Sequence, residues 1–200
     1  MARKVDHDQR RRMIVDAAIR MFSQVGYENV SLIMIAAASA VSRTALYQYF
    51  SSKRQVMDAA ILSVTDRIAE NCSAILVERA SAADRLERVC QVVVDVMFAN
   101  KSFLVAVFDF VIGMVRAQES MTGTIAKFTA GTRTASRRLL KTGIAHGEFP
   151  AGLDIDNTVD VIYSEFESCA MRIVLGTERN STAARARFTS IIRAFVRSGT

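Results

Sequence analysis

Residues 31 to 54 read SLIMIAAASAVSRTALYQYFSSKR, and within them the chain signals the start of a helix three times. Ser31 carries the short oxygen-bearing side chain that satisfies free amides at a helix N-terminus. Val30 and Ile35 stand at the N′ and N4 positions around it, the spacing of a hydrophobic staple. Ser42 repeats the pattern with Val41 and Leu46 as its pair, and Ser52 with Gln55 supplies a capping box for a third start. Helices that begin this close together must be short, and two short helices joined by a tight turn make a helix-turn-helix. The turn falls on Ser39, Ala40 and Val41, and the second helix, Arg43 to Tyr49, is expected to be the recognition helix.

Charge agrees with that expectation. The chain of 200 residues has a net charge of +6. Residues 1 to 54 hold nine bases (Arg3, Lys4, Arg10, Arg11, Arg12, Arg20, Arg43, Lys53, Arg54) against four acids (Asp6, Asp8, Asp16, Glu28). Residues 55 to 200 hold seventeen bases against sixteen acids. The excess therefore lies on and around the helix-turn-helix, as phosphate neutralisation requires. A basic tail by itself reads equally well as a solubility device; beside three capped helix starts it points to nucleic acid.

Half of the residues are hydrophobic, with one proline and nine glycines. So few breakers favour long helices, and no strand-like alternation is bounded by turn clusters. The expected class is all-α, with a three-helix helix-turn-helix domain over residues 1–52 and a larger helical domain over 53–200. Cys72, Cys90 and Cys169 are far apart, odd in number and remote in sequence from His7 and His146. Neither a zinc site nor any cofactor is expected from them, and reduced thiols in a cytoplasmic protein are. The N-terminus is charged and lacks the apolar core of a signal peptide. The longest nearly apolar run, Phe103 to Val115, is too short to cross a bilayer and contains Asp109.

Along the chain, residues 1 to 7 read as a polar arm and Asp8 to Val25 as a helix. Ile14, Ala17, Ala18, Met21, Phe22 and Val25 form its apolar face, and Gly26 is its stop. A fourth helix is expected from Ser52 to about Arg79 and a fifth from about Asp84 to Asn100. Ser102 to Ala117 is apolar nearly all round, which predicts burial and demands a partner or a purpose for Asp109. Gln118 to His146 reads as a helix whose Arg133, Arg137, Arg138 and Lys141 form a solvated face. Asp154 to Leu175 and Ser181 to Arg197 complete the chain with wide apolar stripes.

The stretch from Ile14 to Lys53 resembles the DNA-binding domain of the TetR family of bacterial transcriptional regulators. The resemblance is carried without gaps by Ile14, Ala17, Ala18, Phe22, Gly26, Tyr27, Ser31, Ile35, Ala36, Val41, Ser42, Leu46, Tyr47, Tyr49, Phe50 and Lys53. Two places depart from the family pattern. Ala40 stands in the turn where the family usually has glycine, and a left-handed backbone there costs an alanine on the order of 1 kcal/mol. Thr44-Ala45 stands where Gly-Thr is common, so an operator cannot be borrowed from relatives.

Roles follow for the head. Ser31, Tyr47, Tyr49 and Lys53 are expected on phosphates, with Lys53 at a helix N-terminus that itself favours an anion. Arg43, Thr44 and Gln48 are the base-edge candidates, since Arg suits guanine and Gln suits adenine. Ser42 and Ala45 complete the expected DNA-binding set. The resemblance further implies a homodimer on a palindromic operator, most often as a repressor, and a four-helix bundle formed by the last two helices and their copies. Val159, Ile162, Tyr163, Phe166, Ala170, Ile173, Phe188, Ile192 and Phe195 are the expected interface. It also implies a pocket among the middle helices for a small, mostly apolar effector, with Met97, Phe103, Phe108, Asp109, Phe110, Met114 and Phe128 as candidates. The implied location is the bacterial cytoplasm, on the nucleoid when DNA is bound. Two other classes are weighed. A thiol-based redox regulator would use the cysteines. An enzyme fused to a DNA-binding head lacks a phosphate loop, a nucleophile-base set or a metal-ligand cluster, and Glu165 and Glu167 face different ways on a helix.

Overall fold

The computed structural model of the chain describes residues 2–119 and 122–196, with side chains described for 7–119 and 129–196. Among these, the elements are α1 (Ala2–Val25), α2 (Leu32–Ala38), α3 (Arg43–Tyr47), α4 (Lys53–Ser73), a 3-10 turn (Ile75–Val77), α5 (Ala82–Ala99), α6 (Lys101–Arg116), α7 (Thr122–Ala145), α8 (Ile155–Val174) and α9 (Ser181–Phe195). The all-helical class expected from the sequence is the one found. Packing divides the chain into one compact unit of Met1–Thr65 with Ser102–Ile125 and another of Asp66–Lys101 with Ala126–Thr200. This division differs from a single cut after residue 52, because α6 packs with the head rather than with its sequence neighbours.

In the first unit the polar arm is not separate: helical hydrogen bonding starts at Ala2, and α1 runs unbroken to Val25. Ile14, Ala17, Ala18 and Phe22 bury one face. The helix stops at Gly26, which takes φ +79° as its N–H reaches the Phe22 carbonyl at 3.0 Å. The two serine caps form as expected. Ser31 Oγ accepts from the Met34 N–H at 3.2 Å, and Ser42 Oγ accepts from the Ala45 N–H at 3.1 Å. Between them Ala40 has φ +54°. Its N–H donates to the Ala37 carbonyl at 3.2 Å and the Val41 N–H to the Ala36 carbonyl at 3.1 Å, a Schellman ending with alanine in glycine's place. The left-handed backbone that glycine would take in this turn is thus taken by an alanine.

The expectation that α6 is buried all round is corrected. Phe103, Ala106, Phe110 and Met114 form one buried stripe, while Val105, Ile112 and Val115 are exposed. Asp109 lies on the open side and is itself exposed. It needs no buried partner.

In the second unit α5, α8 and α9 build the core. Leu86, Val89, Cys90 and Val94 of α5 meet the buried stripes of the two terminal helices. Phe166 and Phe188 stack with ring centres 4.4 Å apart. Ion pairs lie over this core, Arg193 to Asp84 at 2.6 Å and Arg185 to Asp95 at 2.8 Å. In the basic run of α7, Arg133 pairs with Asp160 and Arg137 with Asp156 of α8, while Arg138 and Lys141 are exposed. Phe149 packs so closely over Gly143 that a β-carbon there would come within 2.3 Å of its ring.

The expected dimer residues lie mostly inward. Val159, Ile162, Tyr163, Phe166, Ala170, Ile173, Phe188 and Ile192 are all buried within the single chain, and only Phe195 is partly open. A side chain already covered by its own protomer has little apolar area left to give a second one. The open side of α8 instead presents Val161, Met171 and Leu175.

Candidate nucleic-acid interface

The two caps orient everything that follows. Each serine fixes the first turn of its helix, and Leu46 and Phe50 then anchor the second helix inward. With that face sealed, the outward side chains of α3 fall in two columns by the four-residue repeat. Arg43 stands over Tyr47, with the guanidinium 5.7 Å from the ring centre. Thr44 stands beside Gln48. All four are exposed. A short helix with guanidinium, hydroxyl and amide groups on one open face presents donors and acceptors suited to base edges and phosphates.

The α-helix ends at Tyr47, two residues before the expected end, and Gln48 is its C-cap. The N–H groups of Tyr49 and Phe50 still return to the Leu46 carbonyl, so both stay fixed against the helix end. Ser31 and Ser42 use an oxygen lone pair as caps, which leaves each hydroxyl proton available for a phosphate. Ala45 is half-buried and its N–H is taken by Ser42, so it offers no backbone donor.

Lys53 departs most from expectation. Its Nζ donates to the carbonyls of Tyr27 at 2.9 Å and Glu28 at 3.2 Å and sits 4.3 Å from the Tyr27 ring centre. The cation ties the start of α4 to the α1–α2 loop, and one of its three N–H donors is left over from these two bonds. The same loop packs against α6: Tyr27 meets Phe110 edge-on at 4.9 Å, and Arg54 pairs with Glu119 beyond the end of α6. Burial pushes the Tyr27 phenol above its ordinary pKa, with Glu28 adding to the effect. The sequence reading missed this cluster because Tyr27, Lys53 and Phe110 lie far apart along the chain.

The effector candidates are placed one by one. Phe110 is a packing residue against Tyr27. Asp109 lies beside Gly26, where an added β-carbon would be 3.3 Å from its Oδ2. Phe103 and Met114 are buried and Phe108 is half-buried, all on α6. Met97 belongs to the second unit and is half-buried. The Phe128 side chain lies outside the described ones.

The cysteines are all buried. Burial raises the Cys72 thiol to about 11 and pushes Cys90 and Cys169 up as well. Thiolate is the reactive form, and burial disfavours it at all three sites. Among the described residues, no group of three or more His, Cys, Asp or Glu could hold a metal ion, and no single helix is long and apolar enough to cross a membrane.

Comparison with known proteins agrees with this geometry. Residues 14–60 match the model of the bacterial regulatory proteins of the tetR family. The fold extends to solved structures over nearly the whole chain. A TetR transcription regulator from Haloarcula marismortui ATCC 43049 superposes with TM-score 0.83 at 16% identity, over 95% of this chain and 100% of that one. FadR from Bacillus subtilis, solved in complex with stearoyl-CoA, gives 0.76 at 17% identity, over 92% and 98%. The ketosteroid transcriptional regulator KstR2 of Mycobacterium tuberculosis gives 0.65 at 18%, over 94% and 96%. No curated protein sequence matches the chain.

Proposed function

We propose that this chain is a TetR-family transcriptional regulator and a ligand-responsive repressor, a reading supported by the family match over residues 14–60 and the shared fold. It binds a palindromic operator as a homodimer and is released by a small, mostly apolar effector. Residues 1–52 serve DNA and residues 53–200 serve effector and dimer. The observation that carries the reading is the α2–α3 pair itself: two capped helices, one face sealed by Leu46 and Phe50, the other presenting Arg43, Thr44, Tyr47 and Gln48. Arg43, Thr44 and Gln48 read bases, while Ser31, Ser42, Tyr47 and Tyr49 hold phosphates.

A single recognition helix reads few base pairs, and a two-fold dimer doubles the readout. The open face of α8, with Val161, Met171 and Leu175 among exposed Ser164 and Ser168, is the surface for the second copy. Small residues there let the partner approach closely. The effector and DNA favour different spacings of the two heads, so each weakens the other's binding. The fatty-acyl ligand held by the Bacillus subtilis FadR makes acyl-CoA the first class to test.

Selection of bound duplex from a random pool is the test. Enrichment of a palindrome with two matching half-sites is the expected result. A pool that stays random after repeated rounds would overturn the reading. Adding acyl-CoA of graded chain length to the selected complex is expected to release DNA. Asp109→Asn tests the effector set: release unchanged by the substitution removes Asp109 from it.

A further inference from the structure

We propose that the first turns of α1 belong to the DNA-binding surface, with Arg11 and His7 gripping a backbone phosphate beside the end of α3. The inference rests on the DNA-binding reading above. α1 directs one stripe at the head, and its Ile14, Ala18 and Phe22 are essentially fully buried. Stepping back along the same stripe by helical repeats reaches Arg11 and then His7. At that point the stripe changes from apolar to polar and basic, although its direction is unchanged.

Both side chains lie over the segment that ends the recognition helix. The His7 ring is 4.5 Å from the Tyr49 ring, and the Arg11 guanidinium is 5.1 Å from the centre of Phe50. Stacking on an aromatic face fixes the plane of a guanidinium and uses none of its five N–H donors. Arg11 and His7 are both exposed, and Tyr49 is half-exposed beside them. The result is a positive, donor-rich corner with an aromatic floor, built on the two residues that follow the end of the recognition helix. Its chemistry fits a phosphodiester, and a phosphate grip adds affinity and register without reading sequence.

Salt dependence of binding tests the proposal, because each phosphate contact releases counterions. Fluorescence anisotropy of the full chain is measured on the selected duplex and on a scrambled one across a salt series. Arg11→Gln is expected to weaken both duplexes by the same factor and to lower the slope of log affinity against log salt by about one per protomer bound. Arg11→Lys keeps the charge without the planar stack and is expected to keep the slope. Arg12→Gln, on another side of α1, is expected to leave the slope at its wild-type value. His7→Ala, at an exposed position, should weaken both duplexes equally without perturbing the core. A wild-type slope for Arg11→Gln would sink the proposal. So would equal loss in Arg11→Gln and Arg11→Lys, which would mark packing, or equal loss in Arg12→Gln, which would mark diffuse charge. Wild-type protein that binds neither duplex would instead remove the DNA-binding reading itself.

Discussion

The α2–α3 pair and the α8–α9 pair divide their residues in opposite ways. The short pair buries little, and the side chains singled out for function stay open: Arg43, Thr44, Tyr47 and Gln48 are all exposed. The long pair carries wide apolar stripes that look like a partner surface, yet Val159, Ile162, Phe166, Phe188 and Ile192 are closed within the protomer. An apolar stripe states that something must cover it and does not say what. A polar side chain on a helix with its other face sealed has a simpler fate, since the open face is all that remains.

The sharpest way to break that contrast is Phe188→Ala. With its ring fully buried against Phe166, the substitution should cost about 3–5 kcal/mol in urea unfolding. A loss below 1 kcal/mol would return the stripe to the partner surface.

Next in size is Glu178→Gln. Glu178 and Glu165 are each shared between Arg172 and Arg187, a four-membered ion cluster joining α8, the connecting loop and α9. Loss of charged hydrogen bonds should cost about 1.5–3 kcal/mol. Burial alone would raise the Glu178 carboxyl, but hydrogen bonds from Arg172 and Arg187 outweigh it and hold it below the ordinary value. A depressed carboxylate contributes stability above its unfolded pKa and loses it as pH falls through the folded one. Acid unfolding of Glu178→Gln should therefore be less steep than wild type below the usual carboxylate range. Identical acid profiles would show that the cluster is not a source of stability.

Arg43→Ala and Gln48→Ala sharpen the other side of the comparison. Each is expected to cost about 1–3 kcal/mol of operator affinity and to relax preference at one base position. Competition against operator variants reads this directly, and uniform weakening across all variants would reassign the residue to a phosphate.

The smallest expected effect is Ala40→Gly. It removes a left-handed penalty of about 1 kcal/mol or slightly more and restores part of it as chain entropy, so the net gain is below about 1 kcal/mol. Thermal unfolding should rise slightly, with operator preference unchanged. A lower melting temperature would show that the φ of +54° carries little strain.

Much of the head was legible because its signals are local. A serine cap acts over three residues, and Ser31 and Ser42 both close on the expected amides. The Ser52 capping box forms with one shift: Gln55 N–H reaches Ser52 Oγ, but the Gln55 side chain accepts from Ser51 N–H. For Lys53 the position at a helix start predicts an anion nearby, and the two loop carbonyls just past the end of α1 that share its ammonium could not be read from the sequence. His7 went unassigned because residues 1 to 7 read as an arm separate from α1, and Arg11 because the Phe50 ring it lies over is distant in sequence. Asp109 looked buried because composition counts apolar neighbours in sequence, not the side from which the chain covers them.

By itself the sequence determined that the chain is helical, where most helices begin and stop, and that residues 31–54 form a capped helix pair. These rest on hydrogen bonds and backbone preferences spanning a few residues. Only the tertiary structure decided which apolar stripe is covered by which element, that α6 packs with the head, and that the Lys53 ammonium bonds loop carbonyls. Those outcomes depend on groups brought together from distant parts of the chain, where packing and charge pairing select one partner among several that the sequence allows.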